Sequence, residues 1–356
     1  MTQVLSVKQV NVVLDKQAIL QDITFSLNKG EILGLVGPSG CGKTTLLNTL
    51  AGFIYQQAGS ITLAGMPAID NENTLAPEKR QIGMIFQDYA LFPHLTVQQN
   101  IAFGITQMPK DQQQSRVKQL IELLKLEGLA DRFPHQLSGG QQQRVAIARA
   151  MAPQPKLLLL DEPFSNIDAR LRQELMLELR QLLKSLNMTA IFVTHNKDEV
   201  FTFADKMAVM GERRIQQFGA PGEICQHPNS FLVADFLQLG SWLPCTIEND
   251  ILATGLGCFP FPQARCVNAD IKGKGQTLTM LVKPQFLSLE VVDKGNMQVV
   301  NSSVTEQGFH YFLRSVNETD ELSIHQLSVY SDQIMNLGQH VNVYVSPHEF
   351  VIFPTQ

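Results

Sequence analysis

The run Gly37-Pro38-Ser39-Gly40-Cys41-Gly42-Lys43-Thr44, continued by Thr45, carries the clearest chemistry in this chain. Its glycines let the backbone wrap closely, so successive N–H groups point at a bound anion. Lys43 adds a mobile full charge directed at β- and γ-phosphates, and the Thr44 hydroxyl is a ligand for Mg²⁺. The apolar run Ile32–Val36 precedes the loop and the helix-forming run Thr44–Ala51 follows it, so a helix N-terminus adds partial positive charge. An ordinary glycine-rich turn lacks this order of strand, lysine, threonine and helix. The pattern is that of a phosphate loop for a nucleoside triphosphate.

A second set lies at Leu157-Leu158-Leu159-Leu160-Asp161-Glu162. Asp161 closes a buried strand, at the edge where parallel-sheet sites open. Side chains alternate along a strand, so Asp161 and Glu162 are expected to face different ways. One of the two can then hold the Mg²⁺ shell while the other faces the γ-phosphate and polarises a water. A solvated acidic turn is the bland alternative, and the neighbouring phosphate loop weighs against it. A third set is Leu137-Ser138-Gly139-Gly140-Gln141-Gln142-Gln143-Arg144. It reads as a serine-capped, glycine-rich entry to the helix Val145–Met151, a second anion-binding N-terminus in one chain.

This third stretch resembles the signature of the ABC ATPases, and it stands shortly before the acidic strand, as in that family. Further matches follow in order over roughly residues 1–238. Gln87, in Ile85-Phe86-Gln87-Asp88, resembles the Q-loop glutamine, a Mg²⁺ and water contact. Ser165-Asn166-Ile167-Asp168 resembles the D-loop, and His195 the switch histidine that reaches the γ-phosphate. The resemblance implies ATP and Mg²⁺ as cofactors. Glu162, His195 and Gln87 are then catalytic, and Thr44, Gln87 and Asp161 hold the metal. Residues 37–45 of one subunit and Ser138, Gly139, Gly140 and Gln141 of the other sandwich each ATP in a head-to-tail homodimer. One departure stands out: the family's adenine-stacking aromatic is missing near Leu14, where Val12, Val13 and Asp15 are its neighbours. Adenine contact is expected to be apolar rather than stacked.

The elements that must position these residues are legible from periodicity. Val4–Val13, Ile19–Leu27, Ile32–Val36, Leu157–Leu160 and Ile191–Val193 read as strands. Val117, Leu120, Ile121 and Leu124 give one helix with Gly128 as its stop, and Leu171 through Leu186 give another. Buried strands separated by helices imply a parallel sheet with crossover helices. The expected fold is α/β: a P-loop NTPase domain of ABC ATPase type at 1–238, with a helical subdomain at about 88–152. From Trp242 onward helical periodicity stops. Alternating runs at Leu278/Met280/Val282, Phe309/Tyr311/Leu313, Leu322/Ile324 and Val341/Val343/Val345 predict a small all-β domain at 239–356, OB- or TOBE-like and partly closed.

The chain has 356 residues, enough for two domains, with 44% hydrophobic and 17% charged residues, which fits a folded protein. Its net charge of −5 argues against a broad nucleic-acid surface. The five cysteines show no CxxC spacing, so neither a disulfide framework nor a zinc site is indicated. The N-terminus lacks a signal-peptide pattern, and no apolar run is long enough to span a bilayer. The resemblance therefore implies an importer ATPase on the cytoplasmic face of the inner membrane. Its permease is a separate chain, with a periplasmic substrate-binding protein as indirect partner. Asp88–Val97 resembles the segment that receives the permease, although its apolar residues could be simple core. Leu281–Leu289 resembles a degraded accessory-domain motif of sugar, polyamine, sulfate and ferric iron importers. The ending Glu349–Pro354 most resembles the ferric iron ATPases. A β domain that senses a regulatory ligand is compatible with this. A non-transport ABC ATPase acting on ribosomes or DNA is the rival class, and neither a second nucleotide module nor a coiled-coil insertion supports it.

Overall fold

A computed structural model describes residues 2–69, 74–165, 167–261, 264–267, 278–305, 308–316 and 322–354. The chain divides into two compact units, Met1–Gln226 and His227–Gln356.

The first unit begins with a long hairpin, β1 (Gln3–Leu14) and β2 (Gln17–Asn28), then β3 (Ile32–Val36) and α1 (Lys43–Ala51). Next come β4 (Ala58–Leu63), β5 (Met66–Ile69), β6 (Ile82–Ile85), α2 (Val97–Ala102), α3 (Lys110–Leu123) and α4 (Gly139–Met151). The unit continues through β7 (Leu157–Asp161), α5 (Ala169–Ser185), β8 (Thr189–Val193), α6 (Lys197–Phe203), β9 (Lys206–Gly211), β10 (Arg214–Gly219) and α7 (Pro221–Gln226). Two sheets result. One is antiparallel, in the order β2-β1-β4-β5; the other runs β10-β9-β3-β8-β7-β6. In the second, β9, β3, β8, β7 and β6 are parallel, and β10 is an antiparallel edge.

The continuous apolar runs explain the centre of that sheet. β3 and β8 are buried along their whole length, as strands covered on both faces must be. Leu46, Leu47 and Leu50 of α1 join Leu20, Ile23, Leu33, Leu35, Leu157 and Ile191 in one core. α1 is thereby fixed to the carboxyl end of β3, where the phosphate loop must lie.

Some local expectations are corrected. The helix carrying Val117 and Leu120 ends at Leu123, and Gly128 is not its stop. Lys125 takes the left-handed conformation there, φ 55°, while the Leu126 N–H closes onto Ile121. The capped helix starts at Gly139, ahead of the expected Val145.

The second unit opens with the short α8 (Phe231–Phe236) and is otherwise built of strands. β11 (Ser241–Glu248), β12 (Ile251–Thr254), β13 (Gly257–Pro260), β14 (Ala264–Cys266) and β15 (Leu278–Val282) come first. β16 (Leu287–Val291), β17 (Met297–Thr305), β18 (Gly308–Ser315), β19 (Leu327–Ser331), β20 (His340–Val345) and β21 (Phe350–Pro354) follow. They form a sheet in the order β13-β12-β11-β15-β21-β14 and another in the order β16-β20-β17-β18-β19. Leu243, Met280 and Ile352 from the first share a core with Val299, Leu313 and Val343 from the second. Leu322 and Ile324 lie outside any strand; Ile324 is buried in that core from a loop.

The unit boundary at Gln226/His227 precedes the domain boundary expected at 238/239. Its cause is packing: Phe231 stacks on Trp242 with centroids 4.2 Å apart, and Ala234 is buried with Leu281, Val351 and Phe353.

Candidate active site

Three glycines shape the phosphate loop, with φ of 154° at Gly37, 79° at Gly40 and 102° at Gly42. A Cβ at Gly37 would lie 2.2 Å from the Met210 carbonyl oxygen, and one at Gly42 would lie 2.6 Å from Leu20 Cδ2. Only glycine fits where the loop is pressed against β9 and β2. Lys43 is buried, and its Nζ donates to the carbonyls of Gly37 (2.7 Å) and Pro38 (2.9 Å). The ammonium is therefore held over the loop itself. Cys41 is buried beneath it, with Sγ 3.8 Å from Lys43 Nζ. Ser39 is exposed, and the Thr45 carbonyl accepts from Thr49 within α1 at 2.8 Å.

The C-terminal end of α1 is closed by a residue that sequence reasoning missed. Arg80 is almost fully buried, and its Nη1 donates to the carbonyls of Thr49 (2.7 Å) and Leu50 (2.8 Å). A guanidinium there complements the negative end of the helix dipole. Burial pushes the Arg80 guanidinium down from its ordinary value.

Asp161 and Glu162 diverge, but strand alternation is not the whole reason. Asp161 ends β7, whereas Glu162 is left-handed, with φ 45°. Its N–H donates to the Val193 carbonyl at 3.0 Å, which ties the turn to the end of β8. Burial, then the adjacent Glu162 charge, hold the Asp161 carboxyl above its ordinary range, against the opposing influence of Thr44 and Lys43. Glu162 faces elsewhere. Its Oε2 accepts from Gln87 Nε2 at 3.1 Å, and its Oε1 is 3.3 Å from His195 Nδ1. Two groups thus form at the carboxyl ends of β3, β6, β7 and β8: Lys43, Thr44 and Asp161 in one, Gln87, Glu162 and His195 in the other. Hard oxygens from Thr44 and Asp161 side by side suit Mg²⁺.

Ser138 caps α4 in a reciprocal box with Gln141: Ser138 Oγ accepts from the Gln141 N–H (3.4 Å), and Gln141 Oε1 from the Ser138 N–H (3.0 Å). Gly139 and Gly140 form the first turn, and a Cβ at Gly140 would come within 3.3 Å of Leu175 on α5. Among the described residues, no hydrogen bond joins Ser138, Gly139, Gly140 or Gln141 to Lys43, Asp161 or Glu162. Gln143 Nε2 donates to the Pro163 carbonyl at 3.0 Å, linking α4 to the turn after β7. Of the loop at 165–168, Asn166 lies outside the described residues. Ser165 Oγ donates to the Glu162 carbonyl at 3.0 Å, and Asp168 caps α5 by accepting from the Leu171 N–H at 3.0 Å.

The segment after Gln87 is held by two polar residues that periodicity did not single out. Arg149, in the last turn of α4, donates to the carbonyls of Ala90 (2.7 Å) and Tyr89 (2.8 Å), both of which have positive φ. Its guanidinium also sits 5.3 Å from the Phe92 ring centroid. Asn100 is completely buried; its amide donates to the carbonyls of Phe92, Leu95 and Thr96, and its Oδ1 accepts from the Phe92 N–H. Next to this segment lie exposed aromatics. Phe53 and Phe86 stack at 6.4 Å, Tyr55 is exposed, and exposed Phe103 packs on Phe92 at 4.2 Å. At the β1–β2 turn Val13 and Leu14 are exposed apolar side chains.

Among the described residues, no group of three or more metal-ligating side chains is found. His310 stacks on Tyr330 and His348 on Phe286, at 4.5 and 3.9 Å. Burial pushes both imidazoles down.

The sequence pattern of the family described as "ABC transporter" matches residues 20–165. The spermidine/putrescine import ATP-binding protein PotA of Clostridium novyi (strain NT) is 38% identical over 351 residues, covering 98% of this chain and 97% of that protein. The Fe(3+) ions import ATP-binding protein FbpC of Haemophilus influenzae (strain 86-028NP) is 36% identical over 350 residues, covering 96% of each. The solved structure of cbiO1 from Clostridium perfringens, described as part of the ABC transporter complex cbiONQ, superposes with a TM-score of 0.59. It is 30% identical and covers 64% of this chain and 92% of that one.

Proposed function

The chain belongs to the ATP-binding subunits of ABC importers, and from that premise we propose that it hydrolyses ATP to drive uptake of a small solute through a separate membrane permease. One observation carries the hydrolytic assignment: the Glu162 carboxylate is held between Gln87 and His195, whereas Asp161 makes neither contact. The two carboxylates therefore take two roles.

The loop at 37–45 binds the triphosphate through backbone N–H groups and Lys43. Binding draws Lys43 Nζ from the Gly37 and Pro38 carbonyls toward the phosphates. Thr44, Asp161 and Gln87 offer the oxygens that hold Mg²⁺, which when bound neutralises developing phosphate charge. Glu162 accepts the proton of the attacking water as general base, and Gln87 and His195 fix its two oxygens in place. His195 also meets the γ-phosphate. Exposed Val13 and Leu14 supply an apolar contact for adenine.

The N-terminus of α4 completes the site in trans. Ser138 and Gln141 satisfy each other within one chain. A second copy placed head to tail brings its Ser138–Gln141 turn to the γ-phosphate. ATP then bridges the subunits, and hydrolysis releases them. Among the described residues, no helix is long and apolar enough to cross a membrane. As an importer ATP-binding subunit, the chain sits peripherally on the cytoplasmic face of the inner membrane. The permease docks at Asp88–Val97, where Phe53, Tyr55, Phe86 and Phe103 leave an aromatic surface uncovered. A periplasmic substrate-binding protein acts through the permease.

Ferric iron is the proposed cargo, on the likeness of the ending Glu349–Pro354. A polyamine is the second reading, favoured by the relative in C. novyi. Radioactive iron and putrescine uptake in a deletion strain separates them. The hydrolytic assignment is tested by Glu162→Gln. The amide keeps the Gln87 contact and loses basicity, so ATP binding persists while turnover falls by about 10²–10⁴. Turnover within about threefold of wild type would remove Glu162 from the role of base.

A further inference from the structure

Glu199 is nearly buried within α6, one turn beyond His195, and touches neither Glu162 nor His195 by a hydrogen bond. A carboxylate in that position needs partners, and it has two. The Thr194 hydroxyl donates to Glu199 Oε2 at 2.6 Å, and Arg172 Nη1 stands 3.7 Å from Glu199 Oε1. Each partner leads onward. Thr194 Oγ1 accepts from the Asn196 N–H at 3.0 Å, so the hydroxyl clamps the backbone on both sides of His195. Arg172 Nη2 donates to the Ile167 carbonyl at 2.8 Å, within the loop at 165–168.

The contacts close into a ring. The Ile167 carbonyl is held by Arg172, Arg172 by Glu199, Glu199 by Thr194, and Thr194 frames His195. His195 meets the Glu162 carboxylate, and the Glu162 carbonyl accepts from Ser165 at the start of the same loop. A displacement of Ile167 cannot be absorbed locally, because Arg172 is also fixed in α5 by its own N–H on the Asp168 carbonyl. It passes through the Arg172 hydrogen bond at 2.8 Å, the Arg172–Glu199 ion pair at 3.7 Å and the Thr194–Glu199 hydrogen bond at 2.6 Å to the backbone that aims His195.

We propose that Glu199, with Arg172, is a positioning residue that sets the imidazole of His195 against Glu162 and couples it to the loop at 165–168. Glu199 does not react. Its charge holds the Arg172 guanidinium, and its hydrogen bond from Thr194 fixes the switch-loop backbone. Burial holds the Glu199 carboxyl above its ordinary value, and the Thr194 hydroxyl, then Arg172, offset only part of that. The inference rests on His195 and Glu162 being the hydrolytic pair, and the test separates the two.

The experiment uses the full-length chain and three variants, Glu199→Gln, Arg172→Lys and His195→Ala. The glutamine keeps an oxygen for Thr194 and removes only the charge facing Arg172. Readouts are kcat and KM for ATP, the melting temperature, and the histidine Cε1–H NMR signals, with that of His195 identified by its loss in His195→Ala. Glu199→Gln is expected to lower kcat by roughly ten- to a hundredfold, the scale of a misplaced reacting group, with KM unchanged. The same variant moves the His195 signal and leaves the melting temperature in place. Arg172→Lys, which replaces the two nitrogens that reach Glu199 and the Ile167 carbonyl separately by a single ammonium, moves the same signal. If His195→Ala turns over at the wild-type rate, the hydrolytic pair itself is misassigned. If His195→Ala is slow but Glu199→Gln stays within about threefold of wild type, or leaves the His195 signal unmoved, the positioning role is overturned. A fall in kcat matched by a raised KM and a lower melting temperature would make Glu199 structural only, which also overturns it.

Discussion

Replacing Arg149 by methionine separates what holds the segment after Gln87 from what the segment does. The substitution keeps the aliphatic stem and removes the guanidinium. Two charge-assisted hydrogen bonds to the Tyr89 and Ala90 carbonyls are lost, each contributing about 1.5–3 kcal/mol. The cation–π contact with Phe92 adds about 0.5–1 kcal/mol. Part of this is recovered, because the loop is strained: Tyr89 and Ala90 sit at φ 61° and 45°. Left-handed backbone costs about 1–2 kcal/mol per non-glycine residue, and the freed loop relaxes out of it. The net destabilisation is therefore about 1–3 kcal/mol, well below the sum of the broken contacts. For a unit of this size it lowers the melting temperature by roughly 2–10 °C. The relaxation has a second consequence. Gln87 directly precedes this loop and donates to Glu162, so the loop's new path withdraws Gln87 from the carboxylate. Urea titration measures the first effect; ATPase activity of the assembled transporter, against nucleotide affinity of the isolated subunit, measures the second. Permease-stimulated turnover is expected to fall while nucleotide affinity holds. An unfolding midpoint and a stimulated rate both at wild-type values would refute the reasoning.

Two further outcomes follow from other contacts. Lys43→Met removes the ammonium that lies on the Gly37 and Pro38 carbonyls, and it is expected to weaken ATP binding by roughly 10- to 100-fold, as measured by nucleotide titration. Burial alone would raise the Asp205 carboxyl; hydrogen bonds from Lys184, the Ile32 N–H and Arg180 outweigh it and hold the group below its ordinary 3.8. A depressed folded pKa stabilises the native state above 3.8 and ceases to do so as pH falls through the folded value. The acid limb of stability is thus expected to flatten in Asp205→Asn, read from melting temperatures between neutral and acid pH.

What could be read from the sequence was whatever is local and repetitive. β3 and β8 announced themselves because strands covered on both faces must be apolar throughout. The loop at 37–45 did so because each glycine meets a specific obstacle, such as the Met210 carbonyl at Gly37. Turn chemistry was less visible. Glu162 and Lys125 adopt left-handed backbone that neither residue type advertises, so the aim of the first and the helix end at the second came only with the structure.

Residues that join elements distant in the chain were least visible, yet two of them left a trace. Within Val145–Met151 every position but 149 is buried and apolar, and an arginine interrupts the run. A charge within an otherwise buried face is costly unless something waits for it, and in the structure the Tyr89 and Ala90 carbonyls accept from Arg149. Glu199 stands likewise beside Val200 and on the same helix as Phe203, both fully buried. Neither trace names its partner, because Tyr89, Ala90, Thr194 and Arg172 come from other elements and nothing in the order of residues brings them close. The chemistry of phosphate binding is written in contiguous residues since one turn of backbone suffices to make it. Coupling that chemistry to a neighbouring loop or a docking surface requires side chains that cross between elements. In this chain that work falls to long polar residues such as Arg149 and Glu199, and for Arg149 the charge that interrupts a buried run is the sequence feature by which it is found.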